Sequence, residues 1–347
     1  MTVVLIRLGG MVAGAAPAGV ATGVGSMPGD DVDAALGEVL EALPDLPHLP
    51  ELPARGAGSD MVGRTAAQLV DLHVDLQPAG WRLVTRAGLD EARARDRLER
   101  DLDALVPALP GYDGVFKLQL AGPWTLAATL DLARGGRAVA DSGAARDLVA
   151  SMAEAAAAHV AEASRRLPRA QLVLQVDEPA LPLVLAGALP TESGLGRIAA
   201  VDDAVVRDGL RTVVAAVDVP VVVHCCAAEP PLALLAESGA AAVSLDLAGR
   251  VDLDVVGETV ERGVGLWLGV VPAMGPGVPP SVREVLEPVR ALWRRLTFAP
   301  ERLPASVVLT PACGLAGASS GWSRTALRLV TQAARALAEA AAEDVRA

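Results

Sequence analysis

Histidine, cysteine and aspartate residues stand at spacings that suit a tetrahedral metal site. His224 and Cys226 are separated by one residue at the end of an apolar run, and Asp246 and Cys313 follow two later runs. Side chains alternate along a strand, so a histidine and a cysteine two positions apart project to the same side. Thiolate and imidazole ligands favour Zn²⁺ over hard cations. The four residues therefore predict a zinc site.

The cysteines also have a second interpretation. Free cysteine is among the most buried residue types and is usually inert, so Cys225, Cys226 and Cys313 could be small core residues. Cys225 would face away from Cys226 on a strand, and we predict a structural role for it. Three cysteines, two of them adjacent, make a poor disulfide framework and indicate a reducing compartment. We therefore expect a cytoplasmic protein.

Acidic and small polar residues end other apolar runs. Asp177 could bind a substrate ammonium group, or it could belong with Glu178 to an acidic helix start before Pro179. Gly25 and Ser26 could present backbone N–H groups and a hydroxyl to a carboxylate. The glycine spacing before Ser26 does not match the G-x-G-x-x-G pattern of dinucleotide sites.

Eight apolar runs, alternating with amphipathic segments, must position these residues. The predicted strands are Val20–Ser26, Pro47–Pro53, Phe116–Ala121, Gln171–Asp177, Pro220–Cys226, Ala241–Asp246, Gly265–Val271 and Ser306–Thr310. The predicted helices include Leu89–Leu109, Ala144–Arg166, Asp203–Val217, Pro280–Leu296 and Ser323–Asp344. Near-continuous apolar strands are typical of parallel sheets buried on both faces. The pattern predicts a single-domain (β/α)8 TIM barrel, whose chemistry lies where strands end; an open doubly wound sheet is the alternative.

Composition narrows the possible partners. The 347 residues include 30 Lys plus Arg and 42 Asp plus Glu, which gives a net charge of −12. This charge disfavours nucleic acid and anionic membrane surfaces, and no apolar run reaches the ~18 residues of a membrane span. Residues 1–19 are apolar but lack a basic beginning, so we interpret them as a flexible extension rather than an export signal. The barrel is predicted to occupy residues 20–347.

Taken in order, the motifs resemble the catalytic C-terminal barrel of the cobalamin-independent methionine synthase family, in a short single-barrel form. The matching stretches are Val24–Pro28, Ser59–Val62, Gly122–Thr125, Leu174–Leu181, His224–Cys226, Val243–Asp246 and Thr310–Leu315. Each stretch is short, but their order and their positions at strand ends make the combination specific.

The resemblance implies a zinc-dependent methyltransferase that methylates the thiol of homocysteine and forms methionine. The implied zinc ligands are His224, Cys226 and Cys313, with Asp246 where the family usually carries glutamate. A zinc-bound thiol loses its proton more readily, and the thiolate is the nucleophile.

The resemblance also implies how the amino acid is bound. Asp177 matches the carboxylate that holds the substrate amino group, and Ser26 matches a residue near the substrate carboxylate. Glu51 is placed as the second acid for the amino group, after allowing a small insertion.

The methyl donor is less defined, because Pro272 and Met274 stand where the family carries an aspartate and a histidine. The donor is methyltetrahydrofolate or a methylated corrinoid, free or on a carrier protein. Two other functions stay open. One is a corrinoid-linked or uroporphyrinogen-decarboxylase-like barrel acting on another thiol, and the other is a non-catalytic zinc-binding barrel.

Overall fold

The computed structural model describes residues 3–4, 7–8, 11–12, 16–17 and 19–344. Six parallel strands form the central sheet, and each pairs with the next one along the chain. They are β1 Val115–Ala121, β2 Gln171–Asp177, β3 Val221–Cys225, β4 Ala242–Asp246, β5 Gly265–Val271 and β6 Val307–Pro311. Parallel neighbours in sequence order require a crossover after every strand, and helices supply these crossovers.

Two extended segments complete the barrel, at residues 20–26 and 47–51. Thr22 N donates to Leu309 O of β6 over 3.0 Å, and Leu49 N donates to Lys117 O of β1 over 3.0 Å. A parallel bridge between Ser26 and Glu51 joins the two segments to each other. The sheet is therefore closed, all eight predicted strands occupy their expected places, and the (β/α)8 barrel is confirmed over the open-sheet alternative.

The helices form the outer layer. Their bounds are α1 Val32–Ala42, α2 Met61–Ala66, α3 Leu89–Asp103, α4 Leu105–Ala108, α5 Pro123–Thr129, α6 Ser142–Arg166, α7 Leu181–Leu185, α8 Asp203–Ala215, α9 Leu232–Ala236, α10 Leu253–Glu261, α11 Val282–Leu296, α12 Leu303–Ser306 and α13 Ser320–Asp344. Short 3-10 turns lie at Pro53–Arg55, Ala138–Ala140 and Pro300–Arg302. Aspartate or serine side chains accept backbone N–H bonds at the starts of α1, α2, α6, α8, α10 and α11, which explains where these helices begin.

A β-hairpin inserted between the barrel segment at residues 47–51 and β1 was not predicted. His73–Gln77 pairs with Gly80–Val84 in antiparallel register. Its turn ends at Gly80, whose φ of 130° is one that L side chains rarely adopt. The hairpin lies outside the barrel sheet, so it adds no residue to the ring of strand ends.

The N-terminal residues contribute two short antiparallel ladders, Val3–Val4 with Ala16–Pro17 and Arg7–Leu8 with Met11–Val12. The predicted flexible extension at residues 1–19 otherwise falls outside the described residues and stays a prediction. Across the part of the chain that is described, no helix combines the length and the apolar character needed to cross a bilayer.

Candidate functional site

The carboxyl ends of the barrel strands bring the predicted residues to one rim. Asp177 is the last residue of β2 and lies in register with His224 of β3. Asp246 ends β4, and Cys313 follows β6 by two residues. Because parallel strands end at the same edge, these side chains come from different strands but share one end of the barrel.

Cys226 and Cys313 form the closest pair of the predicted ligands. Their sulfur atoms are 3.4 Å apart, and both side chains are partly exposed. The hydrogen bond between them raises the pKa of Cys226 and, together with the neighbouring His224 ring, lowers that of Cys313 to about 4. Two sulfurs bound tetrahedrally to zinc at ~2.3 Å would lie roughly 3.8 Å apart, so only a small opening of the pair is needed. The spacing suits a shared zinc ion.

His224 has one ring nitrogen fixed and the other available. Its Nδ1 lies 2.8 Å from Ser244 Oγ, and Ser244 is its register partner on β4. Its Nε2 is buried without a hydrogen-bond partner. A second partner that fixes the ring is the usual arrangement around a metal-binding histidine. Sequence reasoning missed Ser244, although its position two residues before Asp246 placed it on the same face of β4.

The four predicted ligands are not gathered into a metal-binding cluster. Over the described residues, no three His, Cys, Asp or Glu side chains are close enough together to hold a metal ion. Asp246 Oδ1 accepts a hydrogen bond from Ala248 N over 2.9 Å in the loop after β4. The sulfur pair and the unpartnered His224 nitrogen are donors of the type that zinc prefers, but the side chains would have to move closer together to bind it, and Asp246 would also have to leave its turn.

Cys225 is separate from this pair. It is fully buried in the apolar core, and burial raises the pKa of its thiol to about 11. Its side chain points to the opposite side of β3 from its two neighbours, as strand alternation requires.

Asp177 and Glu178 have different environments. Gln175 Nε2 donates to Asp177 Oδ1 over 2.7 Å, and burial raises the pKa of Asp177. Glu178 accepts from Trp124 N at 2.9 Å and from Thr125 N and Oγ1, both at 2.7 Å. Glu178 therefore caps α5, the helix after the preceding strand, and not a helix of its own. Glu178 therefore lies at a helix start, but at that of α5 and not at the predicted one before Pro179, while Asp177 remains at the rim.

A buried lysine links the rim to the barrel interior. Lys117 Nζ donates to Val24 O at 2.8 Å, to Gln175 Oε1 at 3.0 Å and to Gln119 Oε1 at 3.3 Å. Burial lowers the pKa of Lys117 to about 8, while Asp177 and Glu51 oppose that shift. From the sequence, β1 and β2 were predicted to be apolar on both faces. The overlooked signal is the period-two spacing of polar residues on β1 and β2.

Ser26 lies beside the loop that carries Cys313. Leu315 N donates to Ser26 O over 2.8 Å, and Ala316 N donates to Ser26 Oγ over 3.4 Å. A Cβ atom at Gly314 would be 2.1 Å from Ser26 Oγ, so any larger residue at this position would displace the Ser26 hydroxyl. The segment 20–26 and the loop after β6 thus place a hydroxyl and a thiol at neighbouring points of the rim.

Glu51 is buried near two cations and one acid. Arg64 Nε lies 3.8 Å from Glu51 Oε1. Burial raises the pKa of Glu51 to about 7, with Arg64 and Lys117 lowering it and Asp177 raising it further. Glu51 and Asp177 therefore interact, as two acids around one ammonium group should. Arg64 was not predicted, because an isolated arginine in a short helix gives no sequence signal.

The loop after β5 carries no titratable side chain between residues 272 and 281. Met274 is 62% exposed, and Pro272 O accepts a hydrogen bond from Trp322 Nε1 over 3.0 Å. This part of the rim therefore offers no proton donor of its own.

A cavity of about 800 Å³ lies elsewhere, between α6, α8 and the loop around residues 191–201. None of the predicted site residues lines it. Trp124 forms part of its wall, but the strand-end acids and thiols do not reach it.

Comparisons with known proteins give a family and a shared fold. The family described as "Cobalamin-independent synthase, Catalytic domain" matches residues 20–336. A B12-independent methionine synthase from Shewanella sp. W3-18-1, solved with selenomethionine, superposes with a TM-score of 0.63 at 13% identity, covering 92% of this chain and 97% of that one. A methyltransferase from Methanosarcina mazei superposes with a TM-score of 0.55 at 14% identity, covering 94% of both chains. No curated protein sequence matches the chain.

Proposed function

The chain belongs to the cobalamin-independent methionine synthase family, and from this premise we propose that it methylates the thiol of homocysteine with a bound zinc ion. It is a methyltransferase of the methionine synthase type, and its reaction belongs to methionine biosynthesis. The observation that carries the zinc proposal is the Cys226–Cys313 sulfur pair beside a histidine nitrogen without a partner.

Three side chains would hold the metal, and a fourth would join them. His224 Nε2 and the thiolates of Cys226 and Cys313 supply one nitrogen and two sulfurs, and Asp246 is the proposed fourth ligand. When bound, zinc lowers the pKa of a substrate thiol from about 8.5, so that the thiolate is present at neutral pH. Ser244 engages Nδ1 of the His224 ring, so Nε2 is the nitrogen that would bind the metal.

The acids at the rim would orient the amino acid. Gln175 occupies Asp177 Oδ1, so Oδ2 is the atom that would accept the substrate ammonium group. Glu51 would accept a second bond from the same group, and Ser26 would lie beside the substrate carboxylate. This arrangement fixes the substrate at both ends of its backbone and directs its sulfur toward the thiol pair.

The methyl donor is inferred from the loop after β5, which has no acidic side chain. A folate N5 leaves poorly unless it is protonated, whereas a corrinoid leaves without a proton. Two acids elsewhere could have replaced the missing one, but Asp60 Oδ1 and Oδ2 accept backbone bonds from Gly63 and Gly58, and Glu229 pairs with Arg250. A methylated corrinoid, free or on a carrier protein, is therefore the proposed donor in preference to methyltetrahydrofolate.

A cytoplasmic location is part of the same proposal. The three thiols are unpaired, and two of them lie close enough that an oxidising compartment would threaten the metal site.

Methionine formation tests the proposal directly. The zinc-loaded enzyme is incubated with homocysteine and, in parallel, with methylcobalamin or with methyltetrahydrofolate carrying one or three glutamates. We expect methionine from the corrinoid at a rate about 10²–10⁴-fold above the folates, the factor a positioned acid would otherwise supply. Efficient turnover on folate alone would overturn the donor assignment. Zinc binding without methionine from any donor would instead favour a non-catalytic barrel.

A further inference from the structure

Arg64 is a buried cation that the proposed reaction does not yet use. Its side chain is 2% exposed, and its guanidinium nitrogens have no hydrogen-bond partner among the described residues. It lies 3.8 Å from Glu51 and 3.6 Å from Asp101. Burying an arginine without hydrogen bonds is costly, so its electrostatic contacts must account for its presence.

The contact with Asp101 does not account for the burial of Arg64. Arg55 donates from Nη1 to Asp101 Oδ1 at 2.7 Å and from Nη2 to Oδ2 at 2.6 Å, a bidentate pair. Both oxygens of Asp101 are therefore already bonded to another guanidinium group. Asp101 therefore has a guanidinium partner of its own, whereas Arg64, at 3.8 Å, is the cation that most lowers the pKa of Glu51.

We propose that Arg64 is a positioning residue, which keeps the Glu51 carboxylate ionised and directed at the ammonium group of the amino-acid substrate. The inference rests on the proposed function, because it assumes that an ammonium group binds at Glu51. Arg64 itself does not touch the substrate.

The other groups around Glu51 do not replace Arg64. Lys117 of β1 bonds to Val24 O and to two glutamine side chains, and Asp177 of β2 repels a second negative charge. Gln119 of β1 is uncharged. Among the cations facing Glu51, Arg64 has the larger lowering effect on the pKa of Glu51, which burial raises to about 7.

The sign of the pH dependence follows. Without Arg64, the pKa of Glu51 should rise further, so its carboxyl would hold a proton at pH 7. A neutral carboxyl cannot pair with an ammonium group, and raising the pH should restore the pair.

The test measures affinity for two ligands by calorimetry with the zinc-loaded enzyme. One ligand is homocysteine, and the other is 4-sulfanylbutanoate, the same thiol acid without its amino group. We expect Arg64→Met to weaken homocysteine binding about tenfold at pH 7, to recover most of it at pH 8.5, and to bind the other thiol normally. Arg82→Met, which breaks the Asp75 ion pair in the hairpin and removes the same charge without touching Glu51 or Asp101, is the matched control and should keep the preference for homocysteine.

Several results would overturn the inference. They are an equal loss for both ligands, a loss that pH does not reverse, or the same loss in Arg82→Met. Arg64→Lys keeps the charge and serves as a second variant in case Arg64→Met does not fold. It should retain the preference for homocysteine, and loss of that preference would contradict the role of charge. A wild-type enzyme that binds both ligands equally would refute the proposed amino-acid site itself, which separates the two failures.

Discussion

The sulfur atoms at the rim divide the three cysteines into two groups. Cys226 and Cys313 face each other, whereas Cys225 is fully buried on the other side of β3. We expect about one zinc ion per chain, lost in Cys226→Ser and in Cys313→Ser, because a hydroxyl is a poor zinc ligand. Cys225→Ser should keep the metal. Elemental analysis after gentle purification checks this, and a chain that neither contains nor takes up zinc would refute the site.

Asp177 offers a second test at the residue scale. Asp177→Asn should keep the fold and the zinc but weaken homocysteine binding, because a buried ammonium group would lose its charged partner. The loss of such a charge-assisted hydrogen bond should cost about 2–3 kcal/mol, or roughly 30- to 150-fold. Calorimetry that shows unchanged affinity would assign Asp177 to structure instead.

Some site residues could be predicted from the sequence, and others could not. His224, Cys226 and Cys313 carry their own chemistry and stand at strand ends, so their type and position point to the rim. Ser244 and Arg64 act only through a neighbour, and that neighbour is defined by register or by helix packing. No spacing along the chain encodes such a contact.

At the scale of elements, the end of β2 and the start of α5 are joined by Glu178. A Cβ atom at Gly122 would be 2.3 Å from Glu178 Oε1. We expect Gly122→Ala to destabilise the protein by about 1–3 kcal/mol, measured by urea unfolding, because this buried contact has no room to relax. Gly37→Ala in α1 is the control. Its added Cβ meets nothing within 4 Å, so it should be neutral or stabilising. An equal effect of both changes would refute the steric explanation.

Glu178 also makes the stability of this junction depend on pH. Burial raises its pKa from 4.5 to about 7, so the folded state holds the proton more tightly than the unfolded state. Its contribution is complete below pH 4.5 and is lost as the pH rises through 7. Relative to Glu178→Gln, wild-type stability should fall by about 3 kcal/mol between pH 4.5 and 8. Urea unfolding at several pH values measures the difference, and parallel curves would contradict it.

Strand positions were predictable because apolar runs and turn residues repeat along the whole chain. The hairpin at residues 73–84 was missed because it lies between two barrel strands and alternates weakly. The segment 47–51 lies within the predicted strand Pro47–Pro53, and it joins the barrel through single bridges rather than a full ladder. Its prolines at positions 47 and 50 have no N–H to donate, which explains the sparse pairing.

At the scale of the whole molecule, buried histidines make stability depend on pH in the opposite direction from the buried Glu178. Burial lowers the pKa of His48 and of His159 to about 3, and neither ring is well paired. Their contribution to stability is complete above pH 6.5 and is lost as the pH falls toward 3. Between pH 6.5 and 4, wild type should lose about 3 kcal/mol more than His159→Leu, whose side chain cannot be protonated. Denaturant unfolding at these pH values checks the slope, and identical slopes would show that the pKa of His159 is the same in the folded and unfolded states.

Ser26 and the loop of Cys313 meet across 290 positions of sequence. A chain emerging from the ribosome therefore presents the first of these well before the second. The proposed metal ligands Cys226 and Cys313 are themselves 87 residues apart. A zinc ion held by both could not organise the strands that emerge before Cys313. It would be captured only after the last barrel strand has emerged, so a bound ion would mark a closed ring.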